Sequence, residues 1–299
     1  MKHYPRTVDF YPDRNRREVN MRIPIVYLVV TLVLVLGVFA VSTSNSQTGT
    51  RPSEKTSGRI DNTQPEITSQ HAWALGCAAV LIERNYGRHD LLGTKYRTPK
   101  NIEDCKHFLV DSGWDVKNRD DLLDSLLWID NGGNRKDFMM WGEKIQILTD
   151  EEYDILLVGH QSDDKTLNRI KVAAAYYTAL GDKGLLGWDY SRYICLCRWG
   201  HLAGYFSEEE AWQKIMPVAR LLQSEFDSWQ DLGQNYLIGR YFWSYEETKL
   251  LGYQYEDAYM RLLDMPSSPW NKLPWDIDLK EKTVSEPNET HTVEGTTQI

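Results

Sequence analysis

Seven residues between positions 188 and 240 could do chemistry together: Trp188, Asp189, Arg192, Arg198, Trp199, Trp229 and Arg240. Asp189 and Arg192 stand three apart, and Arg198 and Trp199 follow two turns later, a spacing that places side chains within reach along a helix. Guanidinium groups hold carboxylate or phosphate bidentately and indoles supply apolar walls, so convergence of these residues suits recognition of an anionic or peptide-like ligand. The same residues could instead form part-buried ion pairs that cross-brace three helices around a tryptophan core. A hydrolase using the Asp189, Arg192 and Arg240 region is the enzymatic alternative.

Other chemistry has weaker support in the chain. His71, His89, His107, His160 and His201 show no short ligand spacing such as HExxH, so neither a metal nor a cofactor is expected. Cys195 and Cys197 lie two apart in a helical stretch and point to different faces, which disfavours a mutual disulfide or a two-thiolate metal site. Cys77 and Cys105 could pair in an oxidising compartment. No GxSxG, phosphate loop or GxGxxG precedes a helix. Glu208, Glu209 and Glu210 form a run of carboxylates that a helix N-terminus accounts for.

The elements that must position these residues are helices. Thr149 with Glu152, Ser207 with Glu210 and Ser244 with Glu247 each give a capping box, and Ser228, Asn118 and Thr98-Pro99 add further helix starts. Apolar residues recur at helical spacing, as in Leu122, Leu123, Leu126, Leu127 and Ile129, and no stretch alternates with period two. The pattern predicts an all-α domain of about ten helices. They fall near 70–87, 99–112, 119–130, 135–147, 150–159, 164–180, 188–203, 208–227, 229–243 and 245–263. Gly181, Gly204 and Gly252 stand where helices stop, and Pro217 should kink its helix.

Residues 23–41 (IPIVYLVVTLVLVLGVFAV) are nineteen without a charge. At ~1.5 Å per residue they reach about 28 Å, close to the thickness of a bilayer's hydrocarbon, and read as a single transmembrane helix. Lys2, Arg6, Arg14, Arg16, Arg17 and Arg22 precede it, which keeps residues 1–22 as a basic cytoplasmic tail and sends the rest across an inner (plasma) membrane. A cleaved signal peptide is the competing reading. Residues 42–69, rich in Ser, Thr, Asn and charge, read as a flexible linker, 70–277 as the globular domain and 278–299 as a disordered tail. The whole chain carries 34 Lys and Arg against 43 Asp and Glu. Six of those basic and three of those acidic residues lie in the first 41, so the remainder is near −12, which argues against nucleic acid as a partner.

The densest pattern runs from Gly187 to Ser244: WDxxR, RWGxxAGY, SEEEAW, SW with a Gly four residues after the Trp, and GRxFW. It resembles the bacterial family of domain of unknown function 1266, the YbeU-like proteins. The upstream stretches WALGCAAVL (73–81) and DDLLDSLLWIDNGGNRKDF (120–138) resemble that family's N-terminal half, so the likeness covers roughly 200 of the 299 residues. The resemblance implies no established activity and no catalytic residues. Members of the family mostly lack a membrane anchor, so the anchor and linker look like an addition. The expectation is a membrane-anchored helical domain that recognises an unknown protein or peptide partner in the cell envelope. The hydrolase and a toxin-immunity role, the latter suggested only by the kind of bacterial family, are the alternatives.

Overall fold

Side-chain caps set where most of the helices begin. The computed structural model of the chain describes residues 67–94 and 97–280, without the side chains of 245–250. Its helices are α1 (Ser69–Gly76), α2 (Ala79–Arg84), α3 (Pro99–Asp111), α4 (Arg119–Asp130), α5 (Gly133–Gln146), α6 (Asp150–Gly159) and α7 (Asp164–Leu180). A 3₁₀ turn at Gly181–Lys183 follows, then α8 (Leu186–Ala203), α9 (Glu208–Glu225), α10 (Trp229–Trp243), α11 (Tyr245–Asp264) and α12 (Pro269–Lys272). Among the described residues there are no strands. The oxygens of Thr68, Thr98, Asn118, Asp163, Ser228 and Ser268 each accept from an amide of the first helical turn that follows. At α6 and α9 the capping boxes close in both directions: Glu152 bonds the Thr149 amide at 2.9 Å and Glu210 bonds that of Ser207 at 2.8 Å. The Ser244–Glu247 box involves a side chain outside the described residues.

Helix α8 is the axis of the domain. All of it is buried except Leu186, Trp199 and Leu202, and α3, α4, α5, α9 and α10 pack around it. A helix buried on all sides is normally apolar throughout, yet this one carries Asp189, Arg192, Arg198 and His201. Its polar residues must therefore find partners inside the protein. Close packing needs small residues: a Cβ on Gly239 of α10 would lie 2.1 Å from Trp188 Cβ, and one on Gly200 would lie 2.3 Å from Leu122 Cδ2.

Several expectations need correction. The helix expected at 70–87 is two helices, because the carbonyls that would carry it through are bonded by distant side chains. Trp270 Nε1 donates to the Gly76 carbonyl at 2.9 Å and Ser191 Oγ to that of Cys77 at 2.7 Å. Gly252 does not stop a helix but lies buried inside α11. Helix α9 continues through Pro217, the position of its expected kink; Pro217 is exposed on the same face as Gln213, so water can satisfy the carbonyl whose amide partner proline lacks. All four cysteines are free thiols, Cys77 donating to the Trp73 carbonyl and Cys105 to that of Trp199, so neither is spent on a disulfide. Leu279 is buried and its carbonyl accepts from Arg220, so ordered packing continues two residues past the expected end at 277. The apolar run 23–41 and the tail beyond 280 lie outside the described residues. Among those described, no helix is long and apolar enough to cross a membrane.

Candidate functional site

The N-terminus of α5 is built without a capping side chain of its own, since Gly132 holds the cap position. Asp189 of α8 supplies the missing acceptor across the domain. Its Oδ1 accepts from the Asn134 amide at 3.1 Å and its Oδ2 from the Arg135 amide at 3.0 Å. Gly133 makes the approach possible: its φ is +48°, and a Cβ there would lie 2.6 Å from Asp189 Oδ2. The same device recurs one helix on. Asn235 of α10 accepts the Gly187 amide at 2.8 Å and donates to the Gly184 carbonyl at 2.8 Å, capping the start of α8.

Asp189 also holds Arg192. Nη2 of Arg192 donates to Asp189 Oδ1 at 2.7 Å and to Asn134 Oδ1 at 2.8 Å, and that same Asn134 oxygen accepts from Trp188 Nε1 at 3.0 Å. The guanidinium carbon lies 4.2 Å from the Trp188 ring, 5.2 Å from Trp114 and 5.9 Å from Trp128, a three-indole setting that favours a cation. Burial pushes the Asp189 carboxyl above its ordinary range, opposed by Arg192, the two amides and Arg135, and pushes the Arg192 guanidinium down, opposed by Asp189.

Above this pair lies a cleft of about 630 Å³. Its floor is α8, through Trp188, Arg192 and Trp199. One wall comes from the end of α3, the loop after it and α4, with Phe108, Trp114, Asp115, Asp121, Asp124 and Trp128. Further lining comes from α2, α10 and α11, with Arg84, Tyr236, Arg240, Trp243 and Tyr255. The Arg84 and Arg240 guanidinium carbons lie 5.3 and 4.5 Å from the centre of the Tyr255 ring. A space of this size, lined by eight aromatic and six charged side chains of the described residues, has the dimensions of a small-ligand site.

Of the seven residues singled out in the sequence, the structure brings Trp188, Arg192, Trp199 and Arg240 to this one cleft. Asp189 sits beneath it, fully buried, as a helix cap and counter-ion. Arg198 faces elsewhere on α8, its Nη2 donating to the carbonyls of Arg88 at 2.7 Å and Leu91 at 2.8 Å and so folding the loop after α2. Trp229 belongs to a cluster of indoles with Trp73, Trp270 and Trp275, where its Nε1 donates to the Leu273 carbonyl at 2.8 Å. Sequence reasoning missed Arg84, Trp114, Trp128, Trp243 and Tyr255. One signal was available for part of this set: Asp121, Asp124, Ser125 and Trp128 recur at helical spacing and share one face of α4.

A thiol nucleophile is not on offer, since burial pushes Cys105 and Cys195 up to about 12 and raises Cys77 and Cys197 as well. Among the described residues no group of three or more His, Cys, Asp or Glu side chains could hold a metal ion.

The chain is similar to two uncharacterised proteins of Escherichia coli K12. YbeU is 25% identical over 195 residues, which cover 60% of this chain and 80% of YbeU. YbeR is 26% identical over 162 residues, covering 54% of this chain and 67% of YbeR. No solved structure matches the chain. The family described as protein of unknown function (DUF1266) matches residues 110–275, a span that takes in α4 to α12, the cleft floor and most of its further lining. With more than half of its length matched, the chain belongs to that family.

Proposed function

We propose that this protein is a recognition module of the cell envelope, held at the inner membrane by the apolar segment 23–41 with its helical domain outside the cytoplasm. Its cleft then takes an anionic, peptide-like ligand or a segment of a partner protein. The observation that carries the reading is the convergence of Arg192, Arg240, Trp188 and Trp199 from two helices onto one cleft. Fixed guanidiniums among indoles match what a carboxylate flanked by apolar groups needs. A leash between anchor and domain would raise the effective concentration of the module near the membrane without fixing its orientation.

The test is photo-crosslinking in intact cells. A benzoylphenylalanine in place of Trp128 reports on what enters the cleft, with a chain lacking residues 1–41 as control. The reading expects a defined peptide or protein adduct that needs the anchor. Adducts no different from the control would contradict it. A reporter fused after Ile299 that is active only in the cytoplasm would overturn the topology.

A further inference from the structure

Six charged side chains of the described residues line the cleft: Arg240 lies over the Trp243 and Tyr255 rings, and the other five divide into those already satisfied and those left open. Arg192 is neutralised by Asp189 at 2.7 Å. Asp115 pairs with Lys117 Nζ at 2.9 Å, and Asp121 accepts from the Lys117 amide at 2.9 Å and the Asn118 side chain at 3.0 Å. Arg84 and Asp124 differ. Among the described residues Arg84 bonds the Asn85 side-chain oxygen at 2.8 Å and meets no carboxylate, and its Nε is buried without an acceptor. Asp124 is exposed and has no hydrogen bond or ion pair among the described residues. Both line the cleft, Arg84 from α2 and Asp124 from α4, together with five indoles.

Resting on the reading of the cleft as a ligand site, we propose that its ligand is zwitterionic and of amino-acid or short-peptide size. Its carboxylate sits on Arg84 beside Tyr255, and its ammonium sits at Asp124 beside Trp128. A guanidinium offers a carboxylate two parallel donors, and a carboxylate next to an indole offers an ammonium both a counter-charge and a π face. A purely anionic ligand would leave Asp124 without a partner in the cleft, and a purely cationic one would leave Arg84. A ligand carrying both charges meets Arg84 and Asp124 at once, and a volume of about 630 Å³ has room for two or three residues.

The experiment uses the full chain in detergent and three matched tripeptide pools: both termini free, N-acetylated, and C-amidated. Binding is read by native mass spectrometry and by tryptophan fluorescence. The free pool should bind about tenfold more tightly than either blocked pool, the size of one charge-assisted hydrogen bond. Arg84→Gln should erase the preference for the free carboxylate alone, and Asp124→Asn the preference for the free amine alone. Equal binding of all three pools would overturn the charge assignment while leaving the cleft as a peptide site. An N-acetylated pool that binds as well as the free one would also overturn it, in favour of an anionic ligand. No binding from any pool would overturn this inference together with the function on which it rests.

Discussion

Asp189 lies 2.7 Å from Arg192, yet only the arginine lines the cleft. The carboxylate faces the other way, onto the first amides of α5. One buried acid thus closes a helix end and holds a guanidinium in place beneath a ligand-sized space. Of the two readings that the sequence spacing allows, this geometry is that of the bracing ion pair, a support and the group it supports.

The two halves of that pair should differ in cost. Asp189→Ala strands a buried guanidinium and two helix amides, and should destabilise by about 3–5 kcal/mol. Arg192→Met leaves Asp189 with its amides and with Arg135, 3.4 Å away, so it should cost clearly less. Urea denaturation of both variants checks the order, and equal losses would show that the amides contribute nothing.

Gly133→Ala tests the cap from the other side. The substitution puts an L side chain at a φ of +48° and a Cβ 2.6 Å from Asp189 Oδ2. Backbone strain alone should cost about 1–3 kcal/mol, and the clash adds to it. Gly113→Ala also puts an L side chain at a positive φ, +85°, but with open space around it, and is the control for strain without the clash.

Acid should loosen the attachment of α11 to α2. Glu83 is bonded by Arg261 Nε at 2.8 Å and contacts His89 Nε2 at 2.9 Å. Burial alone would raise the Glu83 carboxyl, but the bonds and charges of Arg261 and His89 outweigh it and hold the carboxyl below its ordinary 4.5. Burial holds the His89 ring below its ordinary 6.5 despite Glu83. Both groups bind fewer protons folded than unfolded, so each contributes stability that is complete above its ordinary value and is lost as pH falls through its folded value. Melting temperature should therefore fall in two stages, the first below about pH 6.5 and the second below about 4.5. His89→Gln should shrink the first stage, to which His71 and His201, also held down by burial, contribute, and keep the second.

Trp229→Ala should act on stability and leave the cleft intact. It opens a cavity among Trp73, Trp270 and Trp275 and removes the donor to Leu273, at a cost of about 3–5 kcal/mol. Ligand binding by the folded fraction should be unchanged. A loss of affinity without a loss of stability would return Trp229 to the site.

Local features of this fold were readable from the chain, and distant ones were not. Thr149, Ser207 and Ser228 announced their helices because a cap and its amide lie three residues apart. The break at Cys77 was invisible because the groups that make it, Trp270 and Ser191, are more than a hundred residues away. For the same reason the cleft was half legible. Trp188, Arg192 and Trp199 share one helix, whereas Arg84 and Tyr255 meet only through the packing of α2 on α11. Asp124 and Trp128 were in view, but their spacing coincides with that of the leucines on α4 and was absorbed into a helix signal.

Whether the cleft is the recognition site is tested most directly by filling it. Ser125 lines the cleft from α4 and is only partly buried, so Ser125→Trp puts an indole into the space without replacing either member of the Asp189–Arg192 pair. Wild-type and variant full chains would be purified from cells expressing them, and the small peptides and amino-acid-like molecules bound to each identified by mass spectrometry. A defined species carried by the wild type and absent from a variant of unchanged melting temperature is the predicted result. The same species on both proteins would contradict the claim that this cleft is where the protein recognises its ligand.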